Sequence, residues 1–141
     1  MIELINLQNR YWINEYKIKR LLKKLIEHYN LETPEVTLAL VDNRTIKDLN
    51  RKFLKKNLPT DVLSFPMREK GPDGKFYLGD IIISAPQAFK QCFPKKHGLL
   101  TEIKYLTVHG FLHLLGFEHF KGLEEEEEKI KLLLLQGNNG N

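Results

Sequence analysis

A chain of 141 residues with 42 % hydrophobic residues and a single cysteine reads as one domain over residues 1–141, long enough to bury roughly two-thirds of its unfolded-chain surface without staples. The lone Cys92 excludes an intrachain disulfide, no apolar run approaches the ~18 residues of a membrane span, and Met1-Ile2-Glu3 lacks the basic start of a signal peptide, so a cytoplasmic protein with no membrane partner is expected. The net charge of +4 is unevenly split: residues 1–119 hold 19 Lys and Arg against 13 Asp and Glu, while the run Glu124 to Glu128 makes the last stretch acidic, and a basic body suits a polyanion although solvated basic faces are common.

Residues 2–7 read as an opening strand with imperfect alternation. A helix follows, because Ile18, Leu21, Leu22, Leu25, Ile26 and Tyr29 recur at the three-and-four spacing of one buried face. Its other face carries Lys17, Lys19, Arg20, Lys23 and Lys24, read as a solvated surface before a phosphate-contacting one. After Pro34, Val36, Leu38 and Leu40 alternate with Thr37 and Ala39 as in a half-buried strand. Asp42 or Asn43 then caps a short helix with Ile46, Leu49 and Phe53 inside and Arg44, Lys47, Arg51, Lys52 and Lys55 outside.

The stretch Leu58 to Pro66 reads as a turn entering a short strand that the proline closes. Gly71-Pro72-Asp73-Gly74 is a strong turn signal, so residues 62–66 and 76–84 are expected to pair across it. Within the second of these, Asp80 is costly to bury without partners and is expected to accept hydrogen bonds near the candidate site. Ser84-Ala85-Pro86-Gln87 matches a capping box, with Gln87 reaching back, and a helix to about Gln91 follows. Cys92, among Phe89, Phe93 and Pro94, reads as a small buried hydrophobe.

A long helix is placed from about Leu99 to Leu115, with Leu99, Ile103, Leu106 and Leu114 on its core face. Glu102 shares a stripe with His109 but lies two turns away, too far for a common ligand, and is read as structural. After Gly122 the glutamates suit a helix N-terminus, the leucines after Lys131 suit a docking end, and Gly137 stops that helix. A metal-binding role for the Glu run is the less favoured reading. The sum is an α+β domain: a small mixed four-stranded sheet with helices packed on it.

Chemistry concentrates in His109-Gly110-Phe111-Leu112-His113-Leu114-Leu115-Gly116-Phe117-Glu118-His119. Histidines four apart stack on one helix face, and Gly116 tolerates the left-handed turn that returns a third ligand, His119. Three ligands leave the fourth position of one Zn2+ open, the arrangement of a catalytic site. A single helical histidine is more often structural, but three in this spacing with a glycine at the helix end favour a zincin-like metal helix. Zinc proteases with this spacing carry a general-base Glu directly after the first His. Gly110 stands there instead and takes no proton, which turns the reading from peptides toward phosphodiesters.

Leu49-Asn50, Pro59-Thr60-Asp61-Val62-Leu63-Ser64-Phe65-Pro66, Leu78-Gly79-Asp80-Ile81 and the histidine stretch together resemble the YbeY family of bacterial rRNA maturation factors. The resemblance implies a zinc-dependent, single-strand-specific endoribonuclease of small-subunit rRNA 3′-end maturation and ribosome quality control, with single-stranded RNA and the ribosomal small subunit as partners. It carries His109, His113 and His119 over as zinc ligands. Two departures stand out. The family's usual Tyr-Arg is Phe53-Leu54 here, so either Arg51, Lys55 or Lys56 substitutes for the arginine in the cleft or activity is weaker. The common Tyr-Asp before the last histidine is Phe117-Glu118, which keeps the ring and the carboxylate. Zinc-bound water or a ribose hydroxyl is the expected attacking group, no side chain of the motif is an obvious general base, and Thr60, Asp61 and Ser64 are candidates for the cleft wall. A metallopeptidase-like hydrolase and a non-catalytic ribosome-associated zinc protein are the competing readings.

Overall fold

The computed structural model describes residues 1–135, so the expected stop at Gly137 lies outside the described residues. The strands are β1 (Ile2–Asn6), β2 (Glu35–Val41), β3 (Val62–Lys70) and β4 (Phe76–Ser84), and they form one sheet in the order β1-β2-β4-β3. The first three in that order run parallel, and β3 returns antiparallel along the edge. The helices are α1 (Glu15–His28), α2 (Asn43–Leu54), α3 (Ala85–Lys95), α4 (Leu99–Leu114) and α5 (Leu123–Ile130), followed by a π-helical turn over Lys131–Leu135.

Val36, Leu38 and Leu40 of β2 and Ile81 and Ile83 of β4 pack with Ile18, Leu22 and Leu25 of α1 and Ile103, Phe111 and Leu114 of α4 in the main core. On the other face Ala39 and Val41 meet Ile46 of α2 and Leu63. The strand expected to be half-buried is therefore covered on both faces, as parallel strands between helical layers usually are. Phe53, expected inside α2, is 55 % exposed and rests edge-on against Phe65.

Pro66 does not close its strand. β3 continues to Lys70 through a register shift between Pro66 and Glu69, which an edge strand permits because one row of its N–H groups has no partner to lose. Asp80 also departs from expectation. It pairs with Thr37 and Phe65 in register and so points to the α2 face, away from the histidines. Among the described residues its carboxylate accepts no hydrogen bond, and burial raises its pKa.

Ser84 caps α3 by accepting from the Gln87 amide at 3.2 Å, but no return bond from the Gln87 side chain forms among the described residues, so only half of the capping box is made. Its hydroxyl donates to Asn43 Oδ1 instead, at 2.6 Å. The helix runs four residues beyond Gln91, through Pro94 to Lys95. The structural reading of Glu102 agrees with the geometry. It is fully buried and accepts from Gln91 Nε2 at 2.8 Å, Lys95 Nζ at 2.8 Å and His97 Nε2 at 2.6 Å. Burial alone would raise its pKa, but these donors outweigh it and hold the carboxyl below its ordinary range. The end of α3 is thereby tied to the first turn of α4.

Candidate metal centre and cleft

Helix α4 is buried on almost every side, from Glu102 and Ile103 through Phe111, Leu112 and Leu114. His109 and His113, one turn apart, are the half-buried positions on its open flank, with ring centroids 4.7 Å apart. The helix ends in the hydrogen-bond pattern of a Schellman cap: the Phe117 amide donates to the Leu112 carbonyl and the Gly116 amide to the His113 carbonyl, both at 3.0 Å. Gly116 has φ +104°, which a residue with a Cβ adopts only under strain. This reversal turns His119 back, 5.3 Å from the His109 ring and 5.4 Å from the His113 ring. One ligand atom from each histidine lies within 4.8 Å of the others.

Behind the rings stand two carboxylates of α5. His109 Nδ1–H donates to Glu127 Oε1 at 2.5 Å, and His119 Nδ1–H to Glu124 Oε2 at 3.0 Å. These bonds engage the Nδ1 atoms and leave Nε2 of both rings for a cation, the usual outer-shell pattern of histidine metal sites. Burial first, and then the neighbouring His109 and His119, push the His113 ring below its ordinary pKa, toward the neutral form that ligates. Three imidazoles with ligand atoms within 4.8 Å of one another, two of them backed by carboxylates, fit a divalent ion of borderline softness such as Zn2+.

A cleft of about 420 Å³ opens beside the triad. Leu54, Thr60, Asp61, Ser64 and Pro66 form one wall, and the three histidines with Glu118 the other. Of the side chains considered for this cleft, Ser64 is in place, with its hydroxyl donating to the Gly110 carbonyl at 3.3 Å. Thr60 and Asp61 are also in place, but Asp61 Oδ1 is engaged by the Val62 amide at 2.8 Å. Arg51, Lys55 and Lys56 do not line the cleft: Arg51 pairs with Asp48 on the exposed side of α2, and Lys55 forms its left-handed C-cap. The lysine face of α1 likewise lies outside it. Leu54 occupies the wall itself.

Gly110 stands out in the sequence by what it lacks, and the structure shows why nothing larger stands there. A Cβ at Gly110 would lie 2.7 Å from Ile81 Cγ2 and 3.2 Å from Ser64 Oγ, so a glutamate at this position would collide with the sheet. Four site features escaped the sequence reading: Glu124 and Glu127, which are partners of the histidines instead of ligands, Arg68, and Phe120. The Arg68 Nη1 lies 2.8 Å from where a Gly116 Cβ would sit, over the turn that joins His113 to His119. The one signal available for the glutamates was their i, i+3 spacing on a helix entered soon after His119.

The family model described as Endoribonuclease YbeY matches residues 3–134. Curated relatives bear that same name, and two of them show the extent of the match. The protein of Persephonella marina is 40 % identical over 116 residues, covering 82 % of this chain and 76 % of its own length. That of Carboxydothermus hydrogenoformans is 40 % identical over 132 residues, covering 92 % and 89 %. A Thermotoga maritima protein with a solution structure superposes with a TM-score of 0.60 at 26 % identity, over 92 % of this chain and 85 % of that one. A match over nearly the whole chain, on a fold that sets the histidines of the motif around one point, leads to the conclusion that this chain belongs to the YbeY family of endoribonucleases, hydrolases that act on RNA.

Proposed function

We propose that the protein is a zinc-dependent, single-strand-specific endoribonuclease that acts in the cytoplasm on the 3′ end of small-subunit rRNA and in ribosome quality control, with His109, His113 and His119 as the zinc ligands. The observation that carries the reading is the triad on an open cleft, with Nδ1 of two rings held by Glu127 and Glu124. A zinc ion held there supplies Lewis-acid activation of water or polarisation of a phosphoryl oxygen. The chain's own groups do the rest. Glu127 and Glu124 fix the orientation of two imidazoles, and the buried flank of α4 fixes the third. Ser64, Thr60 and the backbone of β3 line the wall along which a strand would lie. Arg68 brings its positive charge over the turn at Gly116, but no Lys or Arg is among the described residues lining the cleft, so the role expected of Arg51, Lys55 or Lys56 has no occupant on its wall. A peptidase is disfavoured by the wedge of Ile81 against Gly110, which leaves no space for the general-base side chain that chemistry requires.

The test is cleavage of single-stranded RNA by wild-type protein, chelated protein and His113→Ala, with bound metal quantified. Cleavage confined to the metal-loaded wild type is expected. Equal cleavage in all three overturns the catalytic-metal reading, and salt-sensitive rRNA binding without metal-dependent cutting in any of them favours the non-catalytic ribosome-associated role.

A further inference from the structure

Phe120 is the most exposed large apolar side chain among the described residues, at 95 %, and it immediately follows the third histidine. Single exposed apolar residues are ordinary on protein surfaces, but two features separate this one from that background. Its backbone lies in the left-handed region, φ +61°, where a bulky residue is disfavoured. It is also held there. Glu124 accepts the Phe120 amide on Oε1 at 3.0 Å while its Oε2 accepts His119 Nδ1–H at 3.0 Å, so one carboxylate fixes both a candidate ligand and the aromatic beside it. The loop is pinned further by the Lys121 and Leu123 amides, which donate to the Glu118 carbonyl at 3.0 and 3.3 Å. The Phe120 ring centroid is 6.4 Å from that of His119, which lines the cleft. The exposed ring thus gains nothing from the core, yet its backbone is held in a strained conformation next to His119.

We propose that Phe120 is a base-stacking platform: an unpaired nucleobase next to the scissile phosphate lies on its ring, and this contact makes the site select single strands. An aromatic face stacks any base without reading its sequence, but a base within a duplex is already stacked and paired and cannot be lent to it. The apolar side chain of Leu54 on the cleft wall, 50 % exposed, leaves room for a base beside it. This inference rests on the ribonuclease reading of the cleft.

The test uses metal-loaded wild type, Phe120→Ala and Phe120→Trp. Binding of a single-stranded 2′-O-methyl oligonucleotide carrying one 2-aminopurine is followed by fluorescence, and cleavage kinetics are measured on single-stranded RNA. Wild type and Phe120→Trp are expected to quench the probe. Phe120→Ala should lose the quench and raise KM roughly tenfold or more, as loss of one stacked base implies, with kcat and bound metal unchanged. Because the side chain is solvent-exposed, its removal leaves folding intact. An unchanged quench and KM in Phe120→Ala overturns the proposal, as does unchanged KM accompanied by a change in self-association, which would assign the ring to a protein contact. Quenching by a wild type that cuts no RNA sinks the ribonuclease reading and leaves the stacking platform standing.

Discussion

The pair formed by His109 and Glu127 is where the chemistry of this site becomes specific to this chain. An imidazole with a free Nδ1 can rotate and can present either nitrogen. One whose Nδ1–H is held at 2.5 Å by a carboxylate of low exposure presents Nε2 in one direction. Glu127→Gln is therefore expected to weaken zinc binding by roughly 10- to 100-fold, measured by competition with a chromophoric chelator. Glu124→Gln should do so less, because Glu124 and His119 are 49 % and 58 % exposed and such pairs are worth little. Equal zinc affinity in wild type and Glu127→Gln would rule out an orienting role. The three histidines were legible in the sequence because two of them obey the helical period and the third follows a glycine that ends the helix, all local rules. Their carboxylate partners were not, because Glu127 meets His109 only after α5 folds back across a separation of 18 residues. The same holds for Phe120: exposure and a left-handed φ are properties of the folded loop.

At the scale of elements, the approach of α4 to the sheet decides what chemistry the helix can carry. Gly110 lets the helix settle onto Ile81 and Ser64. In an exposed helix Gly→Ala would stabilise by up to about 1 kcal/mol. Here the new methyl strikes Ile81, and overpacking of that kind costs about 1–3 kcal/mol. Gly110→Ala is thus expected to lower stability in urea unfolding, the opposite sign to helix propensity, and a stabilised variant would contradict the close packing. Most elements could be read from period and caps: α1 from its apolar stripe, α2 from a cap at Asp42 or Asn43, which the structure places at Asp42, the β3–β4 pairing from the glycine-rich turn. What escaped were consequences of layering. Thr37 and Ala39 alternate as though facing water, but α2 packs on Ala39, and Asp80, read as buried near the candidate site, shares that side of the sheet instead. Pro66 reads as a strand end, but β3 has no further neighbour on its outer edge to demand its N–H.

Across the whole molecule, the strand order puts β3 on the edge beside the open flank of α4, and the cleft is the gap between them. The triad spans regions of very different rigidity. His109 and His113 ride on the most enclosed helix, while His119 hangs from a loop held by its own turn and by α5. Metal removal is therefore expected to increase amide hydrogen exchange in residues 116–130 and to leave the centre of α4 and strands β2 and β4 protected, as followed by mass spectrometry. Loss of protection spread evenly over the chain would show instead that the ion holds up the core.

The Schellman turn at Gly116 gives this asymmetry a kinetic meaning. Two nitrogens are already in place on a rigid strut, and the third arrives by closure of a short tether. An ion held by these residues would meet the helical pair His109 and His113 first and be latched by His119 second. Release would run backwards through the latch, so the lifetime of a loaded protein would be set by how often the eight-residue connection from Leu115 to Gly122 lifts, and not by how often the domain unfolds.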